Sequence, residues 1–173
     1  SLVGGLIAGL VLSGMRAELR GVPGLLVLVP ALLATRGNVY GSLGARISTA
    51  LHQGLIEPRV RAGDERLRAA VAAALANGLL ASSFAAVAAV AILTVLGDPV
   101  APLPVLLAIA VLSGLLSGVT LAGVVVTAVF AGYRRGHDPD TLVGPLVTTT
   151  GDVFGMAFLL VAARVVLSLV GVV

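Results

Sequence analysis

The stretch AAVAAALANGLLASSFAAVAAVAILTVL, Ala69 to Leu96, runs for 28 residues without a charged side chain. A bilayer core about 30 Å thick needs roughly 20 apolar residues at 1.5 Å rise each, so this segment reads as one membrane-crossing helix. Charges open it at Arg66 and Arg68, and Asp98-Pro99 ends it, because the residue before a proline is steered away from helix. Charges serve as rulers for the rest of the chain, giving spans at about 2–19, 21–54, 66–96, 101–133 and 140–173. The expected fold is therefore all-α, a polytopic membrane protein with five transmembrane helices in a single domain over residues 1–173. The first span is short and begins without an initiator Met, which points to trimming upstream. It lacks a basic leader and further spans follow closely, so it does not read as a cleaved signal peptide.

Composition agrees. Of 173 residues, 58% are hydrophobic and 11% charged, against roughly 25% charged in soluble domains, and the mean hydropathy is +1.13. The absence of Cys removes disulfides, thiolate metal sites and cysteine nucleophiles. With 3% aromatic residues to stack bases, nucleic acid is not an expected partner. Neither a phosphate-binding P-loop nor a dinucleotide-binding glycine motif occurs, so no nucleotide is expected. Ser48 and His52 share a helix face, but no acid or oxyanion donor is placed beside them, so the chain does not read as an enzyme. His52 and His137 read as polar caps at helix ends. All 11 basic residues are Arg. Arg46, Arg59, Arg61, Arg66, Arg68, Arg134 and Arg135 flank the second and fourth loops, against Arg16 and Arg20 at the first. The positive-inside rule then puts the N-terminus in the cytoplasm and the C-terminus outside the cell membrane. Five helices cannot form a self-contained inverted pair, whereas two copies about an axis make ten, so a homodimer in the lipid bilayer is expected.

An ionisable side chain at mid-membrane costs about 2.5 to 3.5 kcal/mol even on the lenient insertion scale. Asp152 is placed there, 12 residues beyond Asp140 and so roughly 18 Å along the fifth helix. Thr148, Thr149, Thr150, Gly144 and Gly151 surround it with hydroxyls and close backbone, and Pro145 frees a backbone carbonyl. Asp152 can be read as a ligand on a cation pathway, as a neutral structural group or as a proton relay. In the second span Pro30 and Gly37 loosen the helix, and Asn38 falls near the midpoint, at the depth of Asp152. Asp138 and Asp140, around Pro139, read either as a helix start or as a negative pore mouth. Arg164, a further 12 residues on, is too far from Asp152 to pair with it in one chain and reads as snorkelling to the outer interface.

Carboxylate, amide, hydroxyl and carbonyl oxygens suit hard cations. Mg²⁺ dehydrates reluctantly, so one carboxylate per subunit can hold a largely hydrated ion. Two such carboxylates facing each other across a dimer axis repel unless a cation sits between them. The rival readings are an ion carrier coupled to H⁺ or Na⁺ and a membrane scaffold that transports nothing.

Two segments, Pro30 to Asn38 continuing to Arg46-Ile-Ser-Thr49, and Asp138-Pro-Asp140 through Pro145 to Thr148-Thr-Thr-Gly-Asp152 and Gly155, resemble the second and fifth helices of the MgtE-type magnesium transporters. The resemblance implies a homodimer of five-helix subunits passing hydrated Mg²⁺ between its fifth helices. Asp152 then matches the pore acid, Asn38 the second-helix Asn, and Thr148 a position lending backbone oxygen. Ser42 stands where bacterial members have Gln and Arg36 where they have a second Gly, which is similar to the eukaryotic solute-carrier branch.

Overall fold

The computed structural model describes residues 2–57, 64–136 and 139–171, with side chains omitted over 139–142. Its helices are α1 (Leu2–Gly14), α2 (Arg16–Gly21), α3 (Leu25–His52), α4 (Glu65–Leu96), α5 (Leu103–Arg134) and α6 (Pro139–Val170). Among the described residues four are long and apolar enough to cross a membrane: α3, α4, α5 and α6 from Val143 onward. They match the second to fifth expected spans. The first expected span differs, because residues 2–19 are not one helix. α1 has 13 residues, about 20 Å at 1.5 Å each and short of a 30 Å core. After Gly14 the chain turns at the fully buried Met15, and the charged residues Arg16, Glu18 and Arg20 lie on the separate α2.

Local chemistry sets the other boundaries. Asp64 caps α4, its carboxylate accepting from the backbone N–H groups of Arg66 (3.0 Å) and Leu67 (3.1 Å). Gly97 closes α4 with φ +75°. Pro102 precedes α5, where proline's missing donor costs nothing. α3 starts at Leu25, later than expected, because Gly24 takes φ +91°; a Cβ there would stand 2.9 Å from Leu93.

α5 packs against α3, α4 and α6, while α1 lies on α6. α3 and α6 are antiparallel: Leu33 and Arg36 meet Gly155, and Gly44 meets Val143. At what we term the upper end, Ala101 N–H donates to Pro23 O at 2.8 Å and a Cβ on Gly21 would stand 3.7 Å from Leu167. At the lower end, Tyr133 Oη donates to Leu51 O at 3.4 Å and its ring meets His52 edge-on at 5.3 Å.

Two apolar clusters fill the interior. The upper one contains Leu28, Leu32, Ile109, Met156 and Leu159, and the lower one contains Leu43, Ile47, Leu121, Val125 and Val147. Arg36, Ser82, Ser113 and Ser117 are all buried, and by position along α3, α4 and α5 they fall between the two clusters. A polar layer thus crosses the middle of the bundle.

Candidate ion-binding site

Residues on α6 turn by about 100° each, so positions 144, 145, 148 and 152 share one face. Exposure falls along that face: Gly144, Pro145 and Thr148 are exposed, Asp152 is half-buried, and Gly155 and Leu159 are buried. The face is an open strip that closes just above the carboxylate. Asp152 has no hydrogen-bond or ion-pair partner among the described residues. The Thr148 hydroxyl donates within its own helix, to Gly144 O and Pro145 O at 3.1 Å each. Pro145 lacks an N–H, so the carbonyl four residues earlier loses its helical donor.

Two other expected site residues flank this strip, about 40° beyond Pro145 and about 20° beyond Gly144, and are covered by neighbouring helices. Thr149 packs under α1, where its Cα and carbonyl oxygen stand 3.0 Å from where a Cβ on Gly4 would be. Gly151 is buried, and a Cβ there would stand 3.9 Å from Leu121 of α5. Asp140 lies in the first turn of α6, roughly 18 Å from Asp152 along the axis. Asp138 and His137 lie outside the described residues.

On α3, Asn38 is level with Asp152: between the Arg36–Gly155 and Gly44–Val143 contacts it falls opposite the turn containing Thr150 to Asp152. It points elsewhere, however. Asn38 is about 200° round the helix from buried Arg36, is exposed, and lines a cleft of about 300 Å³ against α4 with Ser42, Arg46 and Asn77. Gly37 has open space where a side chain would stand. Pro30 is exposed and about 12 Å nearer the upper end than Asn38.

Sequence reasoning missed two side chains here. Asn77 is a lone amide in an apolar run, with no periodic signal to single it out. Arg36 was noted as a departure from a motif, yet it is 5% exposed and donates from Nη2 to Ser113 Oγ at 2.7 Å. Its Nη1 is buried without a partner among the described residues. Arg164 is exposed near the upper end and bonds Glu18 at 2.7 Å.

No group of three or more His, Cys, Asp or Glu side chains among the described residues could cage a bare metal. What the arrangement offers is one carboxylate and several neutral oxygens beside an open strip, which suits an ion that keeps its water.

The chain is 27% identical over 164 residues to solute carrier family 41 member 3 of Rattus norvegicus, covering 91% of this chain and 35% of that protein. The chain thus spans about a third of the length of the curated relative it matches. A family model described as a divalent cation transporter, MgtE, matches residues 29–162, which include α3 from Val29, all of α4 and α5, and α6 through the Asp152 strip. This chain therefore belongs to the MgtE family of divalent cation transporters.

Proposed function

We propose that this chain is one membrane domain carrying a hydrated divalent cation, Mg²⁺ foremost, between the α6 helices of two copies, with no covalent chemistry. The observation that carries the reading is Asp152: a carboxylate on a membrane-crossing helix, half-buried at the closed end of an open strip and without a protein partner among the described residues. A lone carboxylate in hydrocarbon needs a counter-charge. A second copy meeting the Gly144–Pro145–Thr148 face brings a second Asp152 close, and a divalent ion between the two relieves their repulsion. Asn38, Gly37 and Pro30 on the open side of α3 add neutral oxygen and backbone access near that path, and Asp140, in the first turn of α6, belongs to the helix end where the path opens. Membership of a divalent cation transporter family supports the cargo class. Arg46, Arg66, Arg68, Arg134 and Arg135 gather at the lower end, which supports a cytoplasmic lower face in the cell membrane.

The test is Mg²⁺ uptake into proteoliposomes. Asp152→Ala abolishes it while the chain still assembles as a dimer. Undiminished uptake removes Asp152 from the path, and dissipation of a pH gradient without Mg²⁺ replaces this reading with a proton-coupled carrier.

A further inference from the structure

Among the described residues Arg36 is the other charged side chain at the depth of Asp152, and it is more deeply buried. Its guanidinium sits among α3, α5 and α6. One nitrogen is held by Ser113, and the other, Nη1, lies against the bare α-carbon of Gly155 with no acceptor among the described residues. A Cβ on Gly155 would collide with Nη1 and stand 3.3 Å from Cζ. A neutral hydroxyl is weak compensation for a cation in low dielectric.

The acid to which this charge answers follows by elimination. α1, α3 and α5 contain no Asp or Glu, α2 has Glu18, bonded to Arg164 near the upper end, α4 has only Glu65 in its first turn, and α6 has Asp140 and Asp152. Asp140 is roughly 18 Å from Asp152, towards the lower mouth. Asp152 precedes Gly155 by three residues, under one turn and about 4.5 Å along the axis. A guanidinium with one nitrogen, Nη1, lacking an acceptor and a carboxylate without a donor thus occupy the same layer within about one helical turn, and no ion pair joins them. Gly155 permits this approach, because any larger residue would push the guanidinium away.

We propose that Arg36 is a specificity-determining residue for the ion path: its fixed charge is the standing counter-charge of Asp152 in the ion-free protein, and it offsets enough of that carboxylate's attraction that a divalent cation still binds while a monovalent one does not. This rests on the reading that Asp152 holds the passing ion. Attraction to the acid and repulsion from the guanidinium both scale with ionic charge, and the acid is nearer the ion. The net attraction therefore stays favourable for both kinds of ion but is twice as large for a dication. With Arg36 in place, a monovalent ion gains too little to leave bulk water. The same offset keeps a divalent ion from being trapped.

The experiment is Mg²⁺ titration of the full chain in lipid nanodiscs by calorimetry, with K⁺ or Na⁺ as competitor, on wild type, Arg36→Gln, Arg36→Lys and the Arg36→Gln/Asp152→Asn double variant. Arg36→Gln is expected to tighten Mg²⁺ at least tenfold and to let 0.1 M K⁺ compete, while Arg36→Lys stays within about threefold of wild type. In the Asp152→Asn background the Arg36 substitution has no effect on binding. Arg36→Met, an unbranched apolar replacement that leaves no buried donor, gives the same tightening and serves if Arg36→Gln folds poorly. A purely structural Arg36 lowers thermal stability without tightening Mg²⁺ in either variant, which overturns the proposal. Wild type that neither binds nor carries Mg²⁺ overturns the reading beneath it as well. Wild type that carries Mg²⁺ alongside unchanged affinity in Arg36→Gln and Arg36→Met overturns this inference alone.

Discussion

Glu18, on the six-residue helix α2, accepts a 2.7 Å bond from Nε of Arg164, 146 residues farther along the chain and near the upper end of α6. Glu18 is 6% exposed, and its second oxygen is buried without a partner among the described residues. The bond from Arg164 holds the carboxyl below the usual glutamate range, against an opposing push from burial. A carboxyl whose folded value is depressed adds stability above its unfolded value and loses it as the pH falls through the folded one. Thermal stability in detergent is therefore expected to drop below about pH 4.5 in the wild type and to drop less in Glu18→Gln. Arg164→Ala costs about 1–2 kcal/mol by stranding the buried carboxylate, the lower part of that range reflecting how exposed the Arg164 side chain is. Identical pH profiles for wild type and Glu18→Gln would count against the pair.

Tyr40 spans from α3 to the meeting place of α4 and α5. Its hydroxyl lies 2.9 Å from where a Cβ on Gly78 would stand and closer still to one on Gly118. Gly118→Ala overpacks this point and is expected to lower the melting temperature by several degrees, on the scale of about 1–3 kcal/mol. Removing the colliding oxygen with Tyr40→Phe restores part of the loss. Recovery is incomplete because Leu75 also lies 3.3 Å from that position. Purely additive melting temperatures for the two substitutions would show that the hydroxyl is not the obstacle.

Much of the fold was legible because the four long helices need only unbroken apolar length and charged or proline ends, both of which are properties of a linear string. The first span misled because hydropathy does not register a turn at a buried Met15. Small-residue pairs show the same limit. Gly114 and Gly118 make close contacts, and Gly155 admits a guanidinium. A Cβ on Gly5, Gly9, Gly37 or Gly41 would meet nothing within 4 Å. Identical spacing thus marks a packed seam in one helix and an open face in another, since spacing alone does not say which neighbour arrives. Asp152 could be singled out because a charge in hydrocarbon is costly wherever it points. Arg36 carries the same cost, but its meaning came from Ser113 and Gly155, which lie 77 and 119 positions away in the sequence.

Ser113 supplies the hydrogen bond to Arg36 seen among the described residues. Ser113→Ala leaves a second buried guanidinium nitrogen without an acceptor and is expected to cost about 1–3 kcal/mol. Ser83 provides the control: its hydroxyl donates only to Leu79 O in its own helix, at 2.8 Å. Ser83→Ala should therefore stay within about 0.5 kcal/mol of wild type. Chemical or thermal unfolding of the three proteins in one detergent decides it, and equal stabilities would mean that the Ser113 bond contributes nothing net.

Asn38 tests whether shared depth means shared function. It stands level with Asp152 but opens onto the α3–α4 cleft beside Asn77, so within one subunit it cannot join the carboxylate around a bare ion. It can still bond the water shell of a hydrated one passing the open side of α3. On that basis Asn38→Ala lowers the initial rate of Mg²⁺ uptake several-fold without the full loss expected of Asp152→Ala. Asn38→Asp adds a second negative charge in the same layer, tightening Mg²⁺ binding about tenfold and slowing release. Asn77→Ala separates the cleft from the path: loss comparable to Asn38→Ala means that water from the cleft takes part, whereas unchanged uptake confines the path to α3 and α6. Wild-type rates and affinities in both Asn38 variants would show that Asn38 is a bystander.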